Sequence, residues 1–126
     1  MKLQTGPGSA NPLVGDLRRS GLVTLLVLHY VAVEACYGNQ LMERIAALTS
    51  GAVAVNPNTM YPLLRALEQR GLVTAEWEHP ERRSRRYYRI TTAGNAERRR
   101  LARQLEPNLA AIATTIELIR HELLEN

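Results

Sequence analysis

A single cysteine, Cys36, is all the thiol chemistry that this chain of 126 residues offers. One thiol excludes an intramolecular disulfide and a cysteine-based zinc cluster, and it fits a reducing compartment. Histidine is nearly as sparse, with His29, His79 and His121 falling on three separate predicted elements. Catalysis needs a nucleophile, base or metal set that converges on one point. None is written here, so no catalytic residue, metal site or cofactor is expected; the one conceivable metal pair is His29 with Cys36. Long apolar runs are missing too. Leu22 to Val33 is the most apolar stretch, and with Arg18-Arg19 ahead of it superficially resembles a secretory signal. His29 and Tyr30 interrupt it, no small-residue cleavage pattern follows, and it is too short to span a bilayer. It reads as a core helix, and the chain as a cytoplasmic protein with no membrane contact.

Acidic residues are almost absent from one stretch. Nine arginines lie between Arg82 and Arg103, where Glu97 is the only acid. The formal net charge of +4 therefore understates the local field. Clustered cations suit a polyanion, because each phosphate contact releases condensed counterions. A merely solvated arginine-rich face is the plainer alternative.

With 45% hydrophobic residues the chain can bury a core, and its length fits one ordinary domain. Residues 1–15, rich in glycine and proline, read as a flexible arm. Leu17 to Ala35 is helical in pattern and apolar nearly all round, as for a helix buried on several sides. Tyr37-Gly38 punctuates the chain, and a second helix runs from about Asn39 to Thr49 before Ser50-Gly51. The third helix has the clearest start: Asn56 is a good N-cap, and Pro57 occupies the first helical position, where its missing N–H costs nothing. Met60, Leu63, Leu64 and Leu67 form its buried stripe, and Gly71 sits where a left-handed cap is needed. Pro62, inside this helix, predicts a bent or irregular first turn.

Alternation over Leu72–Glu78 and Tyr87–Ile90 predicts a hairpin, with Arg82, Arg83, Arg85 and Arg86 at its projecting tip. From Thr92 to about Leu124 the pattern is helical again, capped by Thr91 or Thr92. Leu105, Leu109, Ile112, Ile116, Ile119 and Leu123 follow the 4-3-4-3-4 spacing of a helix–helix seam. Pro107 should break or kink this helix near Glu106.

Helix, helix, helix, hairpin, helix is the layout of a winged helix-turn-helix. Such a DNA reader needs short polar groups on the exposed N-terminal turns of one helix, to approach base edges in the major groove. It needs flanking cations to hold phosphates. Asn58, Thr59, Tyr61 and Arg65 meet the first need, and the hairpin arginines the second. The expected class is mainly α with a small β-hairpin: a winged helix-turn-helix over residues 16–91 and a C-terminal dimerisation helix over 92–126.

Tyr37-Gly38, the run from Asn58 through Thr59-Met60-Tyr61-Pro62-Leu63 to Gly71-Leu72-Val73, Trp77, and Arg86-Tyr87-Tyr88-Arg89-Ile90-Thr91-Thr92-Ala93-Gly94 together resemble the PadR family of regulators. The likeness covers about residues 17 to 125. It implies a homodimeric winged-helix repressor of the small subfamily, whose first and last helices, through residues such as Leu22 and Leu26, build the dimer. It also implies double-stranded DNA as partner, with a small-molecule effector of unspecified identity. Asn58 stands where the family has glycine, and the wing carries no glycine. The flat aromatic ligands of some members meet a tryptophan on the last helix. Here the only tryptophan is Trp77, so that mode is not carried over. A winged-helix module for protein association is the alternative reading, though it has little use for four wing arginines.

Overall fold

Helix α1 (Leu22–Val33) opens the described core, entered through Gly21 at φ 101°. The computed structural model describes residues 15, 17, 20–82 and 84–125, so Arg83 and nearly all of the expected arm lie outside the described residues. Val27 and Leu28 of α1 are fully buried, whereas Val33 remains 67% exposed. A two-residue strand, β1 (Cys36–Tyr37), follows, then α2 (Gly38–Leu48), α3 (Pro57–Gln69), β2 (Val73–Trp77), β3 (Arg86–Ile90) and α4 (Thr92–Glu125). The strands form an antiparallel sheet in the order β1-β3-β2, with Cys36 opposite Tyr88 and Ala75 opposite the same tyrosine. The sequence reading took Tyr37-Gly38 as punctuation and missed β1. Two residues carry no periodicity, so only the partner strand reveals it.

Local signals account for the helix ends. The Asn56 side chain accepts the Thr59 amide at 3.0 Å, which satisfies one orphan donor of α3. At the other end, Gly71 at φ 75° lets the Leu72 amide reach back to the Leu67 carbonyl (3.0 Å) and its own amide to that of Glu68 (3.0 Å). This is a Schellman closure, and its companion contact joins two buried leucines, Leu67 and Leu72. Helix α2 closes by the same pattern with Ser50 in the left-handed position, at φ 50°. The core beneath is aliphatic, built on Val27, Leu28, Leu41, Ile45, Met60, Leu64, Leu67 and Val73. Each such side chain contributes about 1.5–3 kcal/mol by leaving water.

Neither internal proline interrupts its helix, so the break expected at Pro107 is absent. Helix α3 is continuous through Pro62, and α4 is continuous through Pro107 over all its 34 residues. Each proline removes the bond to the carbonyl four residues earlier, in Asn58 and Arg103. Both prolines and both of those residues are exposed, so water can take over the freed carbonyls. At about 1.5 Å per residue, α4 is close to 50 Å long, and no helix among the described residues is long and apolar enough to cross a membrane.

The start of α4 is pinned to the turn between α3 and β2. Thr91 Oγ1 donates to the Gly71 carbonyl (2.7 Å) and accepts the Gly94 amide (2.9 Å), while the Thr91 amide donates to the Leu72 carbonyl (3.1 Å). Arg100 holds the Glu97 carboxyl far below the usual carboxylate range, at about 2, and Arg70 at the end of α3 adds to the effect. The first turns of α4 thus follow α3 through backbone and ion-pair contacts alike.

Candidate nucleic-acid interface

Helix α3 buries Met60, Leu64 and Leu67 and turns Asn58, Thr59, Pro62, Arg65 and Gln69 outward. Helical spacing makes this unavoidable, since residues three and four apart share a face. Tyr61 is only 37% exposed, because its ring lies over Gly38. A Cβ at Gly38 would come within 2.6 Å of Tyr61 Cε1. That contact gives the Tyr-Gly pair a physical reason: any side chain at the start of α2 would push the α3 tyrosine out of its present place. It also fixes the orientation of Tyr61 beside the exposed face.

Between α3 and the hairpin lies an open cleft of about 490 Å³, lined by Tyr61 and Arg65 on one side and by Ser84, Arg85 and Arg86 on the other. Tyr37, Gly38 and Asn39 form its end wall. Tyr37 and Asn39 were not anticipated as members of this surface. Their signal was β1, which the sequence does not display.

The wing closes without glycine. Ser84 Oγ accepts the His79 amide (2.9 Å) and donates to the His79 carbonyl (3.3 Å), and the Glu78 and Arg82 amides add backbone bonds to the Arg85 (2.7 Å) and His79 (3.2 Å) carbonyls. The only non-glycine residue at positive φ among the described residues is Ser50, outside the wing. Arg82 is exposed at the tip. Arg85 and Arg86, expected at the tip, lie instead at and just before the start of β3. Arg86 is half-buried, held by Glu68 of α3 at 3.0 Å, and sits over Trp77 at 5.4 Å. Arg85 pairs with Glu78 at 2.9 Å and stacks over the Tyr37 ring at 3.9 Å. The Tyr37 hydroxyl and Arg85 together draw the Glu78 carboxyl below the ordinary carboxylate range. Tyr88 is buried and Tyr87 packs edge-on against Tyr37, so both tyrosines serve the sheet.

On α4 the apolar stripe divides. Leu105 is 3% exposed within the single chain, so it belongs to this chain's own packing and not to a seam with another, contrary to expectation. Leu22 and Leu26 of α1 also pack on the chain's own core. Leu109 and Ile112 are half-buried, whereas Ile116, Ile119 and Leu123 are exposed, the last by 71%.

Cys36 is fully buried. Its sulfur donates to the Glu34 carbonyl (3.1 Å) and accepts from Arg44 (3.2 Å), and burial pushes its thiol pKa up. His29 is exposed and packs edge-on against Tyr30.

Three helices carrying a cationic hairpin, with an outward polar face on the third, define a winged helix-turn-helix transcriptional regulator. The chain belongs to the PadR-like family of transcriptional regulators, whose family model matches residues 27–100. It is 38% identical over 74 residues to the transcriptional regulator Rv3488 of Mycobacterium tuberculosis. That match covers 59% of this chain and 66% of that protein, just under two thirds of the relative's length. A PadR family transcriptional regulator from Eggerthella lenta shares the fold with a TM-score of 0.65 and 33% identity, over 84% of this chain and 90% of its own. A transcriptional regulator from Clostridium thermocellum has the same fold, with a TM-score of 0.67 at 23% identity over 79% of this chain and 96% of its own. Members of this family are transcriptional regulators, not enzymes.

Proposed function

We propose that this protein is a homodimeric repressor that binds a pseudo-palindromic operator in duplex DNA, in the cytoplasm where the chromosome lies. The observation that carries the reading is the cleft that sets the polar face of α3 against the wing. In this reading Asn58, Thr59 and Arg65 meet base edges in the major groove, with Tyr61 beside them. Arg82, and Arg83 next to it, hold phosphates at the flank. The distal stripe of α4, from half-buried Leu109 to exposed Leu123, meets the same stripe of a second copy. An effector, where one acts, releases the operator by binding unequally to two arrangements of the dimer.

Alanine substitutions separate the two kinds of contact. Arg82→Ala should weaken binding to every duplex alike and make the slope of log K against log salt shallower by about 1.8, one phosphate contact from each protomer. Asn58→Ala should instead cost about 1–3 kcal/mol on the operator alone, leaving random duplex unaffected. Fluorescence anisotropy titrations at four salt concentrations read both. A uniform loss from Asn58→Ala, or no loss from either variant, counts against this docking.

A further inference from the structure

Both arginines of β3, and Arg85 just before it, face an acid. Arg85 meets Glu78 (2.9 Å), Arg86 meets Glu68 (3.0 Å) and Arg89 meets Glu76 (3.0 Å). Glu76 lies on β2, Glu78 just past its end and Glu68 on α3, so the three cations are neutralised from the neighbouring strand and helix. Strand register explains the β2 pairs. Glu76 and Glu78 alternate onto the sheet face that Arg85 and Arg89 occupy on β3. Each of these arginines also lies over a ring, Arg85 on Tyr37, Arg86 on Trp77 and Arg89 on Tyr87. Ring and carboxylate together hold each guanidinium along the hairpin instead of projecting from it. Arg82, at the tip, has no ion pair among the described residues.

We propose that Glu68, Glu76 and Glu78 are specificity determinants of the DNA contact: they mask the β3 arginines and keep the wing from acting as a general polyanion clamp. This rests on the DNA-binding reading above. The magnitudes favour a mask over a rigid strut. An ion pair near the surface is individually weak and screened by salt, so a phosphate can compete for the arginine, most readily at the more exposed Arg85 and Arg89. When it does, the displaced carboxylate is left close to the phosphate and repels it. Without the acid, each freed arginine can add a phosphate contact worth about 0.9 in salt slope, close to an eightfold gain at 0.1 M monovalent salt. A complex on random sequence can shift along the duplex until the freed arginine reaches a phosphate. On the operator, α3 fixes the register, so the gain there is smaller and the ratio of specific to nonspecific affinity falls.

The test compares wild type with Glu78→Gln, a change of nearly equal shape that removes only the charge. Binding to an operator duplex and to a random duplex is measured by anisotropy across a salt series, with thermal melts confirming the fold. Glu78→Gln should tighten random-duplex binding by up to about 60-fold at 0.1 M salt and steepen its slope by up to about 1.8, one freed arginine from each protomer, while operator binding tightens less. Adding Arg85→Ala should cancel the gain. Glu106→Gln, on an exposed turn of α4, makes the same change in net charge away from the wing and should leave both affinities near wild type. An unchanged random-duplex affinity in Glu78→Gln overturns the proposal. So does an equal gain in Glu106→Gln, or a gain that survives loss of Arg85. Failure of the wild-type protein to bind any duplex would instead refute the DNA-binding reading itself.

Discussion

Ile116→Glu should turn the protein into a folded monomer and weaken operator binding by about two to four orders of magnitude. Ile116 is 41% exposed in the single chain, so a carboxylate there keeps its water as long as no second chain covers it. The fold loses little, since the last fully buried residue of α4, Leu105, lies three turns earlier. In the proposed seam between copies the same carboxylate would be carried into an apolar setting, where isolated charge is strongly disfavoured. The loss on DNA follows from linkage. Two tethered reading heads gain about 10²–10⁴ in apparent affinity over one, and a monomer forfeits that factor. Light scattering and anisotropy on the same sample check both parts. A variant that remains dimeric would move the interface elsewhere.

Gly94→Ala should lower the melting temperature by about 5–15 °C. Helix propensity alone predicts the opposite, because alanine is favoured over glycine inside a helix by about 0.8–1 kcal/mol. Space decides the sign. A Cβ at position 94 would fall 2.0 Å from the Leu72 carbonyl oxygen and 2.8 Å from Ile90 Cγ1. The first is backbone, and that same carbonyl accepts the Thr91 amide. Relieving the clash means lifting the start of α4 off the turn that Thr91 pins. Overpacking of this kind typically costs about 1–3 kcal/mol, and backbone displacement places this site at the upper end. For a chain of this size each kcal/mol corresponds to roughly 3–5 °C. Differential scanning calorimetry gives the answer directly, and an unchanged or higher melting temperature would show that the junction is loose.

The parts of the fold visible in the sequence were those specified by neighbouring residues. Asn56-Pro57 marks the start of α3 and Gly71 its end because caps are local chemistry. The alternation in β2 and β3 announces a hairpin for the same reason. What stayed hidden depends on partners far along the chain. Strand β1 exists only through its pairing with Tyr87 and Tyr88, and its absence from the reading concealed the end wall of the cleft. Pro107 signals a break to anyone reading locally, yet α4 runs through it unbroken. The 4-3-4-3-4 spacing marks an apolar stripe, yet periodicity cannot tell which leucines face their own domain, and Leu105 does. Likewise the arginine run announces a cation cluster without showing that Glu68, Glu76 and Glu78 lie against it. Charge counted along the sequence overstated the free charge of the wing.

Selection of bound sequences from a random duplex pool tests the central claim most directly. A two-fold dimer that presents one α3 to each half-site should enrich inverted repeats whose centres lie about one helical turn apart, roughly 34–36 Å or 10–10.5 base pairs. Binding to the enriched duplex should weaken steeply as salt rises. Enrichment of a single asymmetric half-site would contradict the dimer, and failure to retain any duplex at low ionic strength would contradict DNA binding altogether.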